Sequence, residues 1–427
     1  MAGYISAWEI AWVRTKNPHY QQLCRFWTKI FALAFGIGVV SGIVLSYEFG
    51  TNFGRFSEAT GNVIGPLLSY EVLTAFFLES GFLGIMLFGQ NKVSPAVHLF
   101  SSLMVTLGTI FSAFWVISAN SWMHTPQGYH MENGIFFVDD WLKVIFNPSF
   151  PYRLLHMLVA AYLSTTFLIS GIAAWYLAHG KHMKIAQSVF SFTFWVMLVL
   201  TPLQLFLGDA HGLNTLQYEP IKIAAMEGRW ETMREAPLTL FAIPDNENET
   251  NHFAVEIPKL GSIILRHDRE GEIEGLKAVP KEDRPYVPIV FYSFRVMVGL
   301  GMGMILTAFF GLFLRMRGKL YSNQYFLKWC TVFSPAGFIA ILAGWFVTET
   351  GRQPWLVHGL MRTSDGASVL PPGSVLTSLI IFIVLYGAMF TAFILYLLRL
   401  IKGGITEITK EETPDHLTNW LEKTPDA

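Results

Sequence analysis

Eight stretches of this chain are long and apolar enough to cross a lipid bilayer, and that feature limits its fold more than any other. A span of the hydrocarbon core needs roughly 20 apolar residues. The stretches at about 29–48, 63–89, 95–119, 152–178, 186–207, 288–314, 331–350 and 374–400 meet this. Where no water satisfies the backbone, segments of this kind fold as helices. Only 14% of residues are charged, against about 25% in soluble domains. The expected fold is all-α: a polytopic transmembrane helix bundle of eight complete spans plus a partial N-terminal one. The partial one is Met1–Val13, which is apolar but meets Arg14 before it can cross.

Orientation follows from the basic residues near helix ends. Arg14, Lys16, Arg25, Lys29, Lys92, Lys181, Lys184, Arg315, Arg317, Lys319, Lys328, Arg399 and Lys402 fall on one set of connections, and far fewer on the other. The first set is therefore read as cytoplasmic, with no conflict across the eight spans. The expected organisation is an N-terminal transmembrane bundle (1–207), an external loop region (208–287), C-terminal transmembrane helices (288–403) and a cytoplasmic tail (404–427). Within the loop, Lys222–Arg234 reads as a short helix of alternating charge. A net charge of −1 gives no nucleic-acid signal, and two cysteines exclude a disulfide framework or a Cys-ligated cluster. No internal repeat marks a transporter.

Ionisable groups within a bilayer are costly and point to function. Glu71 and Glu79 share a face of one span: eight residues at 100° each place them within about 80°. Such a pair serves as a proton relay or ligand, or alternatively as a structural polar contact. His156, Met297 and Glu349 fall, with Glu71, in the outer half of the expected membrane, on four different helices. His/Met axial ligation suits an electron-transfer haem, although a lone membrane His or Met is often only packing. Trp345 lies one turn from Glu349, where an aromatic ring can stand between cofactors or simply pack. Arg295 and Arg352, near the outer surface, are matched to haem propionates, or snorkel to the interface. From residues alone the reading stops at a membrane protein with a redox or proton-handling site near its outer face.

A family resemblance goes further. Phe76-Phe77-Leu78-Glu79-Ser80 and Gly351-Arg352-Gln353-Pro354-Trp355 resemble subunit I of the cytochrome bd quinol oxidases. So do Phe49-Gly50-Thr51-Asn52, Ala119-Asn120-Ser121-Trp122-Met123, Phe294-Arg295-Val296-Met297, Ile243-Pro244-Asp245 and Glu249-Thr250-Asn251, in order along essentially the whole chain. The resemblance implies a terminal quinol oxidase of the bacterial cytoplasmic (inner) membrane. It would oxidise ubiquinol or menaquinol at the periplasmic (outer) face and reduce dioxygen to water with cytoplasmic protons. It implies a low-spin haem b with His156 and Met297 as axial ligands, a high-spin haem b and a haem d. Glu349 resembles the carboxylate of one high-spin haem, with Trp345 between haems. Glu71 and Glu79 resemble the acidic pair at haem d, with Ser112 and Asn120 as companions. Lys222 and Glu227 resemble the quinol-site pair, and a smaller subunit II is the implied partner. The external loop resembles that of the short-loop class.

Family members begin with a complete first helix whose early part carries a haem-ligating His. Here Met1 stands in what resembles the second half of that helix. His19, within the loop signal Asn17-Pro18-His19-Tyr20, does not replace that ligand. The expectation is a start at an internal Met of a longer chain, with a genuine short variant as the alternative. Two other functions stay open at this stage: a haem b quinol electron-transfer protein without oxygen reduction, and a proton-coupled transporter using Glu71 and Glu79. Haem content separates them.

Overall fold

The computed structural model describes residues 1–405; the acidic tail expected from 404 onward lies almost wholly outside them. The chain order is α1 (Ala2–Thr15), α2 (Pro18–Glu48) and α3 (Gly54–Glu71), which passes through a π turn at Val72–Phe76 into α4 (Phe77–Phe88). There follow α5 (Pro95–His124), the hairpin β1 (Tyr129–Glu132) and β2 (Ile135–Val138), α6 (Trp141–Ile145), α7 (Phe150–Ala178), α8 (Met183–Tyr218) and α9 (Pro220–Glu227). A second hairpin, β3 (Leu238–Asp245) and β4 (Thr250–Ile257), precedes α10 (Leu260–Arg266). The rest comprises α11 (Val287–Met316), α12 (Gln324–Val332), α13 (Ala336–Thr350), β5 (Trp355–Val357), β6 (Met361–Arg362), α14 (Thr363–Gly366) and α15 (Pro372–Gly403).

Among the described residues eight helical runs qualify as membrane spans, one on each expected stretch. Their ends differ from the apolar boundaries, because capping rather than hydropathy stops a helix. Asn17 and Pro18, expected in a loop, form the N-cap and first turn of α2: the Asn17 side chain accepts from the His19 N–H. The expected loop from 208 is still helical as far as Tyr218, since no proline interrupts it before Pro220. Conversely, the helix expected over Lys222–Arg234 is α9, ending at Glu227. Gly228, at φ 63°, takes the left-handed conformation that closes a helix. The span expected at 331–350 is broken between Val332 and Ala336, where Ser334-Pro335 disfavours helical backbone.

Two compact units emerge: Met1–Val116 with the segment from Ala367 onward, and Ile117–Gly366. In the first, α1 packs on α2, and α15 also packs on α2. None of the α15 residues is buried. In the second, α7 packs on α8, α12 and α13, and α11 packs on α8, α9 and α13. Close approach in this unit depends on small residues, as it does wherever the hydrophobic effect cannot drive helices together. A side chain at Gly337 of α13 would reach Ser164 Cα on α7 at 2.5 Å, and one at Gly171 of α7 would collide with Ser334 and the Cys330 carbonyl.

Substituting Gly337 with Leu is therefore expected to force α13 away from α7. Overpacking of a filled interior costs about 1–3 kcal/mol, which a thermal melt of the detergent-solubilised protein will register as a clear fall in Tm. A similar substitution at Gly387 of α15, where no atom of the described residues lies within 4 Å of the added carbon, is expected to leave Tm unchanged.

Candidate functional site

In the first unit, Glu71 and Glu79 flank the π turn on a continuous helical run of 35 residues. A π turn accommodates one extra residue. The pair is therefore related by about seven α-helical steps, and the two carboxylates align within about 20° rather than the 80° of an unbroken α-helix. Ser112 Oγ donates to Glu71 Oε1 at 2.8 Å. Glu79 is buried, lies across Gly108 of α5, and its Oε1 has no hydrogen-bond partner among the described residues. With the helix beginning at Gly54, Glu71 stands near the middle of its run rather than in its outer half.

The other candidates belong to the second unit. His156 on α7 is half-buried; the Gln204 amide of α8 lies 3.2 Å from its Nε2, and the His211 ring centroid is 5.5 Å away. Gly208, also on α8, keeps the edge of that ring clear: a Cβ there would stand 3.4 Å from His156 Cε1. Met297 on α11 directs its thioether at Gly344 of α13. Trp345, one turn before Glu349 on α13, is half-buried. Asn120, expected beside Glu71 and Glu79, instead donates to Glu349 Oε1 at 2.8 Å. Arg352 Nη2 donates to Glu349 Oε2 at 2.7 Å, leaving its own Nε and Nη1, both buried, without partners.

The structure does not bring Lys222 and Glu227 together. Five residues apart on a helix, they point about 140° apart. Glu227 faces Arg295, at 3.4 Å, and Arg295 also donates to the carbonyls of Met226 and Thr239 and stacks on Phe291. Burial raises the Glu227 carboxyl above its usual range, and Arg295 and Arg229 temper the rise. Lys222 turns inward to Glu219 Oε2, at 2.7 Å, and to His124 Nδ1, at 3.0 Å.

Glu219 is the hub that sequence reasoning missed. It is 2% exposed, and it pairs with His124 at 2.9 Å, Arg153 at 3.1 Å and Lys222. Burial works to raise its carboxyl, but the charges of His124, Lys222 and Arg153 outweigh burial and hold it well below the carboxylate range. Burial pushes the Lys222 ammonium down to about 8 despite Glu219. Beside this cluster lies a cavity of about 250 Å³, lined among others by Glu219, Lys222, Arg352, Trp355 and His358. In the sequence, Glu219 precedes a proline and His124 ends an apolar run, so both look like ordinary helix-end polar residues; no spacing links them.

Replacing Glu219 by Gln leaves Arg153 and Lys222 buried without their counter-charge, and breaking a buried pair in this way costs about 3–5 kcal/mol. The expected result is a strongly lowered Tm at neutral pH. A carboxyl depressed on folding stabilises above its unfolded pKa and loses that contribution as pH falls towards its folded pKa. The Tm gap between wild type and Glu219→Gln should therefore narrow on acidification below the ordinary carboxylate range.

Comparison with known proteins places the chain in one family. The family profile described as cytochrome bd terminal oxidase subunit I matches residues 1–405. The chain is 33% identical to the cytochrome bd ubiquinol oxidase subunit 1 of Bacillus subtilis (strain 168), over 96% of this chain and 90% of the relative. It is 30% identical to the cytochrome bd-II ubiquinol oxidase subunit 1 of Escherichia coli (strain K12), over 95% and 92%. Among solved structures, the bd oxidase from Geobacillus thermodenitrificans superposes with a TM-score of 0.87 at 31% identity, over 94% of this chain and 93% of that one. The chain therefore belongs to the cytochrome bd terminal oxidase subunit I family, as an integral membrane subunit of a quinol:oxygen oxidoreductase.

Proposed function

We propose that this subunit oxidises quinol on the outer side of the membrane and delivers the electrons to dioxygen with protons drawn from the cytoplasmic side, working with a smaller subunit II. Haem, as a low-spin b, a high-spin b and a d type, supplies the electron transfer and the oxygen chemistry when bound. The observation that carries the reading is the imbalance of the buried cluster in the second unit. Arg153, Lys222 and Arg352 face only two carboxylates, Glu219 and Glu349. Among the described residues, Arg352 Nε and Nη1 and Arg153 Nε are buried without hydrogen-bond partners. A buried donor left unmet costs roughly 1–3 kcal/mol, and haem propionates are carboxylates of the kind that would meet these. The donor set fits haem in other respects too: an imidazole at His156 with a cleared edge, a thioether at Met297, and Glu349 as an oxygen donor.

In this reading His156 and Met297 hold the low-spin haem, Glu349 serves one high-spin haem with Trp345 between haems, and Arg295 and Arg352 steady propionates. Arg295 has less left to offer, since its guanidinium is largely taken up by Glu227 and two carbonyls. Oxidising a quinol, whether ubiquinol or menaquinol, releases protons at the site, so a base must stand there. Glu227, with its raised carboxyl, is the better acceptor. Lys222 lines the neighbouring cavity and provides a positive charge for an anionic oxygen. Glu71 and Glu79, in the first unit, hold and pass the protons consumed by oxygen. The stretch 208–287 stands on the periplasmic side, following the basic-residue asymmetry.

Two measurements test these roles in membranes that contain the chain with its partner subunit. In the reduced-minus-oxidised visible spectrum, His156→Ala and Met297→Leu are each expected to abolish the low-spin haem b bands while the haem d band remains. An unaltered spectrum would overturn the axial assignment. Glu227→Ala is expected to lower quinol-driven oxygen consumption at least tenfold while an artificial donor that bypasses the quinol site still supports it. Equal loss with both donors would remove Glu227 from that site.

A further inference from the structure

A second set of buried ionisable groups lies in the first unit, apart from the carboxylate pair. Glu9 of α1 and His98 of α5 are 1% and 2% exposed, and Glu9 Oε1 contacts His98 Nδ1. His98 Nε2 lies 3.1 Å from the Met86 carbonyl oxygen of α4. A carbonyl only accepts, so Nε2 carries a hydrogen. Nδ1 then faces a carboxyl oxygen, and the two share one proton, as imidazolium with carboxylate or imidazole with carboxylic acid. Glu9 Oε2 is buried with no hydrogen-bond partner among the described residues. The pair sits near helix ends on the Lys- and Arg-rich side: α1 stops before Lys16, and α4 and α5 are joined through Lys92.

From this pair a line of hydroxyls follows α5. His98, Ser102 and Thr106 are spaced by four residues and form one stripe about 12 Å long. Ser6, one turn from Glu9 on α1, donates to Ser102 Oγ at 3.3 Å and lies 2.9 Å from Thr106 Oγ1. Both hydrogen bonds of Ser6 thus cross to α5. Two residues beyond Thr106 is Gly108, the residue across which Glu79 lies, and Glu79 Oε1 is the next buried oxygen without a partner. Ser112 and Glu71 continue the line. Packing alone accounts for small residues on such a seam, but not for buried carboxyls with unpartnered oxygens at both ends of a run of hydroxyls.

We propose that Glu9 and His98 load protons from the Lys- and Arg-rich side and pass them along Ser102, Ser6 and Thr106 to Glu79. This rests on the reading that Glu79 holds protons consumed by oxygen. In each passage the Glu9 carboxyl gives up its proton, every hydroxyl accepts one on its oxygen and releases its own onward, and Glu79 gains one. Glu9 is then reloaded from the aqueous side, and no electron moves. Glu9 and His98 are relay residues, not residues that touch the reacting oxygen.

The test uses the assembled, haem-loaded oxidase in vesicles. Glu9→Gln is expected to slow oxygen consumption and proton uptake at least tenfold with haem content and anaerobic reduction by quinol unchanged, and Glu9→Asp to restore most of the rate. A carboxyl band in the reduced-minus-oxidised infrared spectrum that shifts in D2O should disappear in Glu9→Gln; identical difference spectra count against the relay. Wild-type rates, or haem and rate falling in parallel without rescue by Asp, overturn it. Should Glu9→Gln not assemble, the pair Ser6→Ala with Thr106→Val decides: slowed uptake with a raised solvent isotope effect supports the relay, and wild-type behaviour overturns it. Glu79→Gln separates the two layers. If it alone slows proton uptake, the relay fails and the role of Glu79 stands; if it too has no effect, that role fails.

Discussion

A packed protein interior offers no water to a charge, so every ionisable side chain buried in it must find its counter-group within the protein. Glu219 meets that constraint for much of the second unit. It stands at the junction of α8 and α9 and binds Arg153 from α7, Lys222 from α9 and His124 from the end of α5. One carboxylate thereby ties three further helices to the end of the longest one. The neutralisation holds because the three partners together outweigh the cost of burying the carboxylate, which is why its proton is held so weakly. The adjacent Glu349 is tied by Asn120 and Arg352, and His124 Nε2 lies 3.8 Å from it, so the two carboxylates share a histidine.

Against this background the exceptions are informative. Nearly all buried polar groups in folded proteins are paired, and those that are not call for a reason. Here, among the described residues, unpaired donors on Arg352 and Arg153 stand next to the groups proposed to carry haem and quinol chemistry, together with unpaired oxygens on Asn120 and Gln204. Unpaired acceptors gather on Glu79 and Glu9, along the stripe proposed to carry protons. Donors suit carboxylates and anionic oxygens, whereas free carboxyl oxygens suit proton traffic.

The eight spans were legible because hydrocarbon burial demands a long apolar run, and that demand is local. Helix ends were less so, because a cap such as Asn17 or a closing glycine such as Gly228 overrides hydropathy within a turn. The shared face of Glu71 and Glu79 was visible from their spacing, but the π turn that sharpens their alignment was not. The pair expected at a quinol site shows the limit of motif reading. Lys222 and Glu227 share one short helix, yet one turns to Glu219 and the other to Arg295. Asn120 likewise serves Glu349 rather than the acidic pair with which it was grouped.

From its sequence alone, then, this chain is an all-α membrane protein of eight spans with family motifs for a bd-type oxidase subunit, since span length, residue period and motif order are properties of contiguous residues. Only the tertiary structure decided which charges neutralise one another. The partners of Glu219 lie 95, 66 and 3 residues away, at His124, Arg153 and Lys222, and His98, the partner of Glu9, lies 89 residues away on α5. Electrostatic pairing depends on distance in space, and no local pattern records which helix faces will meet once the chain has packed.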